Sequence, residues 1–228
     1  MINISASLIK DYLWCKRKGY YRINHPEQAI KTDEMIIGEV VHKVIETHWN
    51  KDKDQAKAEA HRLLSTYNLT DPNLNKMKKL SRSMDNFFNH FSYLLNNDDI
   101  VEKFFKVPFS DGVMMSGKMD RITKDGIIID WKVTRFVPKT IDNDIQFIIY
   151  YMSHKQLYGD YPKKLFYIAL ENAVMVEFTP KDYYIKFLYG DVIPNIVDDI
   201  RNGRFERTGF YNNSCLNCPF QLTCWSEL

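Results

Sequence analysis

The sequence predicts an α/β fold, a mixed and largely antiparallel sheet flanked by helices. Three observations carry this reading. Val113–Val133 has the pattern of a β-hairpin, and Val101–Phe109 precedes it as a further strand of an antiparallel meander. Lys163–Leu170 and Ala173–Phe178 are two more strand candidates, with Glu171 and Asn172 as a tight turn between them. Segments of helical period lie before, between and after these strands.

The hairpin organises the rest. Val113–Ile122 is its first arm, Lys124–Gly126 its turn and Ile127–Val133 its second arm, which opens on three isoleucines. A three-residue loop ending in Gly is a common closure, because Gly accepts the left-handed conformation there. A loop centred on Asp125 sets Asp120 opposite Asp130 on one face, with Cβ atoms roughly 4.5–5.5 Å apart. Period-two alternation adds Lys132 to that face and turns Trp131 to the other. Two opposed carboxylates repel, so a cation is the reason to keep them. An Asp pair with a Lys beside it can hold Mg²⁺ against a phosphate and orient or deprotonate an attacking water. A solvated ion pair between Asp130 and Lys132 is the bland alternative. Ile127–Ile129 argues against it, since a strand apolar on both faces is buried and its charged end needs partners.

A chain of 228 residues suits one domain. Residues 1–228 are read as a single unit with a helical insert at about 50–97. With 45 % hydrophobic and 14 % aromatic residues the chain fills a packed core, which excludes the disordered class. A formal net charge of +2 leaves polyanion binding to a local patch rather than a global field. No apolar run is long enough to span a membrane, and Met1–Ser5 lacks the character of a signal peptide. A cytoplasmic protein without a membrane partner is expected.

Ser5 caps a helix whose Leu8, Ile9, Tyr12 and Leu13 recur at helical spacing, delivering Cys15 at its end. Lys16–Arg22 mixes cations and aromatics, as a solvated helix end or a strand-binding surface would. A helix from about Thr32 carries Gly38, Glu39, His42 and Glu46. His42 and Glu46 share a face, and Gly38, costing about 1 kcal/mol relative to Ala, suggests close approach of another backbone. Asp52–Tyr67 and Leu74–Leu95 read as helices around a breaker at 68–73. Lys76, Lys78, Lys79 and Arg82 oppose the macrodipole of the second helix, so they form a phosphate-facing patch or a solvated face. Glu102, on the strand before the hairpin, is a further acidic contributor to the site or an exposed strand residue. Asp142–Leu157 is a capped amphipathic helix with Gln146 and Tyr150 one turn apart. Thr179, Pro180 and Asp182 open a last long helix, with a break at Pro194, running to about Asn202.

The chain has four cysteines: Cys15, then Cys215, Cys218 and Cys224 in a C-x₂-C-x₅-C run. In a reducing compartment this placement favours metal over disulfides. Four thiolates suit zinc or an iron–sulfur cluster, and the one-plus-three arrangement leans to the cluster. Either would staple the N-terminal helix to the C-terminus, as a module of residues 5–22 and 203–228.

Gly117-x-x-Asp120 followed by Asp130-x-Lys132 resembles motifs II and III of the PD-(D/E)XK nucleases, especially the RecB-like branch. Gly38-x-x-x-His42-x-x-x-Glu46 resembles their motif I, and Gln146-x-x-x-Tyr150 the motif that follows the catalytic lysine. With Cys15 and the late C-x₂-C-x₅-C, the pattern is similar to the CRISPR-associated Cas-four exonucleases and related iron–sulfur nucleases, over nearly the whole chain. Lys16 stands where that family commonly has Pro after its first Cys. The resemblance implies a restriction-endonuclease-like core that cleaves DNA, single strands favoured, from the 5′ end. It implies Mg²⁺ or Mn²⁺ held by His42, Asp120, Asp130 and the Val133 carbonyl, with Lys132 acting on the water. Gln146 and Tyr150 would position the strand or brace the site, and Cys15, Cys215, Cys218 and Cys224 would hold a 4Fe-4S cluster. CRISPR adaptation or recombination proteins are the partners it suggests. A catalytically weak DNA-docking protein and a zinc-stapled nuclease are the alternatives.

Overall fold

A computed structural model describes residues 1–70, 74–210 and 214–227. Residues 71–73 of the expected breaker, and 211–213 and 228 of the expected terminal module, lie outside the described residues. In chain order the elements are β1 (Ile2–Ile4), α1 (Ala6–Trp14), α2 (Lys16–Asn24), α3 (Asp33–His48), α4 (Lys53–Leu64) and α5 (Leu74–His90). Then come β2 (Ile100–Ser110), β3 (Val113–Ile122), β4 (Ile127–Lys132), α6 (Ile145–Tyr158), β5 (Lys164–Ala169) and β6 (Val174–Glu177). The chain closes with α7 (Asp182–Phe187), α8 (Ile193–Arg201) and α9 (Gln221–Ser226).

Among the described residues six strands form one mixed sheet. β2 runs antiparallel along one whole edge of β3, from Ile122 back to Val113. The other edge of β3 is shared. β1 pairs parallel with Val113–Met115, and β4 pairs antiparallel with Arg121 and Ile122. Residues 116–120 of that edge therefore lie in a gap between two neighbours. β4 continues into a parallel ladder with β5, which pairs antiparallel with β6.

Local signals account for most of these elements. Gly126, at φ +77, closes the hairpin after Thr123 N donates to the Ile127 carbonyl at 2.8 Å. The pairs Ile122–Ile128 and Arg121–Ile129 set a register that carries on to Asp120 opposite Asp130. Ser5, Thr32, Asp52 and Asp144 each accept from a backbone N–H of the turn that follows, capping α1, α3, α4 and α6. Gly117 faces Phe105 across the ladder, where a Cβ would lie 2.7 Å from the ring. Only Gly lets that ring lie flat on β3.

The sheet is covered on both faces. On one, α1, α6 and α8 pack Leu8, Ile9, Phe147, Ile148 and Ile196 against Phe105 and Met119. On the other, α3, α4 and α5 pack Val40, Val44, Ala60, Met84 and Phe87 against Ile129, Trp131 and Ile168. The stretch read as an insert near 50–97 thus supplies, with α3, one face of the sheet's core. Among the described residues no helix is long and apolar enough to cross a membrane.

Three elements differ from the sequence expectation. β1 was not foreseen, being three residues long with its partner more than a hundred residues away. α2 is a regular helix where only a basic, aromatic stretch was read. The last helical segment starts at Asp182 rather than after Thr179: Lys181 is extended, at φ −121 and ψ 117, and its carbonyl accepts the first helical bonds from Tyr184 and Ile185. It passes through a π-helical turn, Leu188–Val192, before α8, which carries Pro194 in its first turn. Proline lacks the N–H that a continuous ladder would use there.

Candidate active site

The gap in β3 is where the charged residues meet. Past Arg121 and Ile129 the pairing of β3 and β4 ends, and Trp131 N donates instead to Asp120 Oδ2 at 3.0 Å. Lower down, the Tyr150 hydroxyl donates to the Lys118 carbonyl. A carboxylate and a phenol from neighbouring elements thus fill in for strand pairing, leaving a cleft of about 860 Å³ beside them.

Asp130 is fully buried and Asp120 nearly so. Buried carboxylates need partners, and each has them. Asp130 Oδ2 lies 2.7 Å from Lys132 Nζ, and Oδ1 accepts from Gln146 Nε2 at 2.8 Å. Gln146 also accepts from Lys132 Nζ at 3.3 Å and donates to the Tyr150 hydroxyl at 2.6 Å, so its amide orientation is fixed by three contacts. His42 Nδ1 sits 3.4 Å from Asp120 Oδ2. Asp120, Asp130, Lys132, His42, Gln146 and Tyr150 are therefore one connected group. Val133 lines the same cleft one residue beyond β4. Glu46 lines it too, with its carboxylate paired to Lys43 at 2.8 Å.

Burial, and then the charge of Asp130, push the Asp120 carboxyl up to about 6, against the pull of His42, Lys132 and the Trp131 N–H. Burial works to lower the Lys132 ammonium, but the charges of Asp130 and Asp120 outweigh it and the net shift is upward. Burial and the same two carboxylates hold the Tyr150 hydroxyl well above the ordinary tyrosine range. The site is thus a desolvated negative pocket with an amine at its wall.

The upward shift of Asp120 has a consequence for the metal-free protein. The folded state binds its proton more tightly than the unfolded chain, so stability from this group is full below the unfolded value and falls as pH rises towards about 6. Asp120→Asn should flatten that window and stabilise the EDTA-treated protein near neutral pH by on the order of 2–3 kcal/mol. Thermal denaturation between pH 4 and 8 checks it. An Asn variant less stable than the parent at pH 7 would contradict it.

His42, Glu102 and Asp120 can each bring one ligand atom within 4.8 Å of the others. Glu102 reaches this cluster from β2, where its backbone has φ +49, a left-handed conformation rare for such a residue. Its carboxylate pairs with Lys118, a cation that sequence reasoning did not single out. Lys118 lies two residues before Asp120 on β3, so strand alternation puts it on the same face, while its Glu102 partner is set by the pairing of β2 with β3. Gly38 lines the cleft, and a Cβ placed on it would meet nothing within 4 Å. The expectation of a close-packed backbone at Gly38 is corrected: the helix there borders open space.

Several cations elsewhere are paired within the chain. Lys16, Arg17, Lys18 and Arg22 pair with Asp199 and Glu206, Glu227, Asp11 and again Asp11. Lys76 and Lys79 pair with Asp33 and Glu171. The Lys16 and Arg17 pairs fasten α2 to the C-terminal segment, where Tyr21 also stacks on Phe220 at 5.5 Å between centroids. Cys15 is buried beneath them, and Cys215, Cys218 and Cys224 are half-buried thiols. Burial first, then the nearby Cys15 and Cys224, raise the Cys215 thiol. Burial, with Cys15 and Cys215, raises Cys218 against the opposing Phe220 N–H and Lys18. Cys15 thus lies near enough to Cys215 and Cys218 for its charge to bear on both.

A family model described as the PD-(D/E)XK nuclease superfamily matches residues 3–225. No curated protein matches the sequence. Among solved structures, a "Putative exonuclease" from Eubacterium rectale superposes with a TM-score of 0.60 at 16 % identity, covering 90 % of this chain and 84 % of that one. At that identity the likeness shows a shared fold. The structure of SSO0001 matches at a TM-score of 0.44 and 17 % identity, covering 100 % of this chain and 88 % of that one, a similarity too low to support an argument.

Proposed function

Because this chain belongs to the PD-(D/E)XK nuclease superfamily, we propose that it is a divalent-metal-dependent DNA exonuclease of the RecB-like, iron–sulfur type. One observation carries the reading: Asp120, Lys132 and His42 line one open cleft, and Asp130 lies buried directly behind them, bonded to Lys132 and Gln146. The donors suit a hard ion such as Mg²⁺ or Mn²⁺, being carboxylates with a single imidazole. The mutual approach of His42, Glu102 and Asp120 within 4.8 Å supports the same fit.

In this reading Asp120, Asp130, His42 and the Val133 carbonyl hold the ion. When bound, such an ion lowers the pKa of a coordinated water and neutralises charge gathering on the phosphate. Lys132 orients that water as the ammonium that Asp130 and Asp120 favour, and would take its proton only once the ion's charge has offset theirs. Gln146 fixes Asp130 and Lys132 relative to each other, and Tyr150 pins the β3 backbone beside Asp120. Single strands are the substrate that the motif resemblance favours, and Gly38 lines the cleft at a point where a Cβ would meet nothing within 4 Å. Glu46 and Glu102 add negative charge on the α3 and β2 sides.

The second metal centre proposed is a 4Fe-4S cluster on Cys15, Cys215, Cys218 and Cys224. An all-thiol donor set, one remote and three local, and the mutual effect of Cys15, Cys215 and Cys224 support it. Its role is to staple α1 and α2 to the C-terminus. CRISPR adaptation or recombination proteins as partners, and cleavage from the 5′ end, rest on the motif resemblance.

Labelled single-stranded DNA incubated with anaerobically purified protein tests the reading. Shortening from the 5′ end that requires Mg²⁺ or Mn²⁺ is expected, with a brown protein that absorbs in the visible. Binding without cleavage would point to a docking protein, and a colourless, zinc-containing protein that cleaves would replace the cluster with zinc.

A further inference from the structure

Deepening the metal-site reading above, and resting on it, we propose that Lys118 is an internal cation standing in for the divalent ion, and that Glu102 exchanges it for the ion as a further ligand. The Lys118 ammonium pairs with Glu102, whose side chain is mostly covered while that of Lys118 is half exposed. The charges of Asp120 and Glu46 act on the same ammonium. It therefore lies among the carboxylates that a cation would have to satisfy.

Glu102 is positioned for two partners. Its carboxylate can approach ligand atoms of His42 and Asp120 within 4.8 Å. Its neighbours Val101 and Lys103 pair regularly with Arg121 and Met119, but Glu102 takes a left-handed backbone between them, opposite Asp120. Such a conformation persists only where its surroundings impose it, and it clusters at functional sites. Tyr150 anchors the Lys118 carbonyl, so the exchange needs only side-chain rotation and not movement of β3. The ammonium, once displaced, remains in the cleft on a flexible stem, where a DNA phosphate would meet it.

A stand-in cation competes with the ion, so removing it should tighten binding. Isothermal titration of EDTA-stripped protein with Mn²⁺ reads this without reference to cleavage. Lys118→Met keeps the aliphatic stem and should bind Mn²⁺ about tenfold more tightly. Glu102→Gln should bind it ten- to a hundredfold more weakly. Adding Lys118→Met to Glu102→Gln should recover little, because the ammonium has already lost its anchor. Lys118→Met that leaves Mn²⁺ affinity unchanged or lowers it, in a protein with the parent's circular dichroism, overturns the competition. Glu102→Gln that binds like the parent overturns the ligand role. A parent protein that binds no Mn²⁺ overturns the metal-site reading itself, which is a different result from either.

Discussion

Lys132→Ala is expected to lower DNA cleavage by about a thousandfold or more while Mn²⁺ binding persists. Lys132 Nζ is 2.7 Å from Asp130 Oδ2 and within reach of Gln146, so its amine is held on the cleft wall and not free to wander. A positioned group that moves a proton or stabilises developing charge is worth 10²–10⁴ in rate, about 3–5 kcal/mol of barrier. The same substitution removes the charge that balances a fully buried Asp130. The ion takes over that balance, so the variant should bind Mn²⁺ at least as well as the parent and gain more thermal stability from it. Single-turnover cleavage with Mn²⁺ at saturation, paired with titration calorimetry, separates the two effects. Cleavage within tenfold of the parent would remove Lys132 from the chemistry.

The second large effect lies next to the site and concerns stability. Arg121 follows Asp120 on β3, and its guanidinium is almost wholly buried. Nε donates to Asp99 Oδ2 at 2.9 Å, a second nitrogen donates to the Asn96 carbonyl at 2.7 Å, and the group lies 4.9 Å from the centre of the Trp49 ring. Asp99 in turn accepts from the Asn96 and Lys124 backbone N–H groups, tying the loop after α5 to the hairpin. Breaking one partner of a buried pair leaves the other charged and dry, which costs about 3–5 kcal/mol. Arg121→Ala should therefore lower the melting temperature by about 10 °C in a chain of this size. Arg121→Met combined with Asp99→Leu should recover much of the loss, since neither charge then remains buried. A single variant that melts within 2–3 °C of the parent would contradict this account of the loop.

Local signals made much of the fold legible. A three-residue turn ending in Gly126 sets the register that opposes Asp120 to Asp130, and both are properties of a dozen contiguous residues. The caps at Ser5, Thr32, Asp52 and Asp144 are equally local. Long-range features were not legible. β1 is too short to show a period, and it exists because β3 offers an edge. Thr179 looked like a cap, but the helix opens at Lys181, and the Thr179 N–H bonds to Asp142, some forty residues earlier.

The site divides along the same line. Asp120, Asp130 and Lys132 stand out because charges at the end of an apolar strand are conspicuous, and His42, Gln146 and Tyr150 gain meaning from their order in the chain. Arg121 and Asp99 pair across a strand and a loop with nothing unusual in either segment, and Lys118 meets Glu102 only through the long-range pairing of β2 with β3. Glu102 carries a left-handed backbone that no propensity announces, and Gly38 borders a cleft that only folding creates.

The most direct test of the central claim is anomalous scattering from crystals soaked in Mn²⁺. The account predicts a manganese peak in the cleft, coordinated by carboxylate oxygens of both Asp120 and Asp130 and beside His42. A peak that touches neither aspartate, with the DNase activity retained, would contradict it.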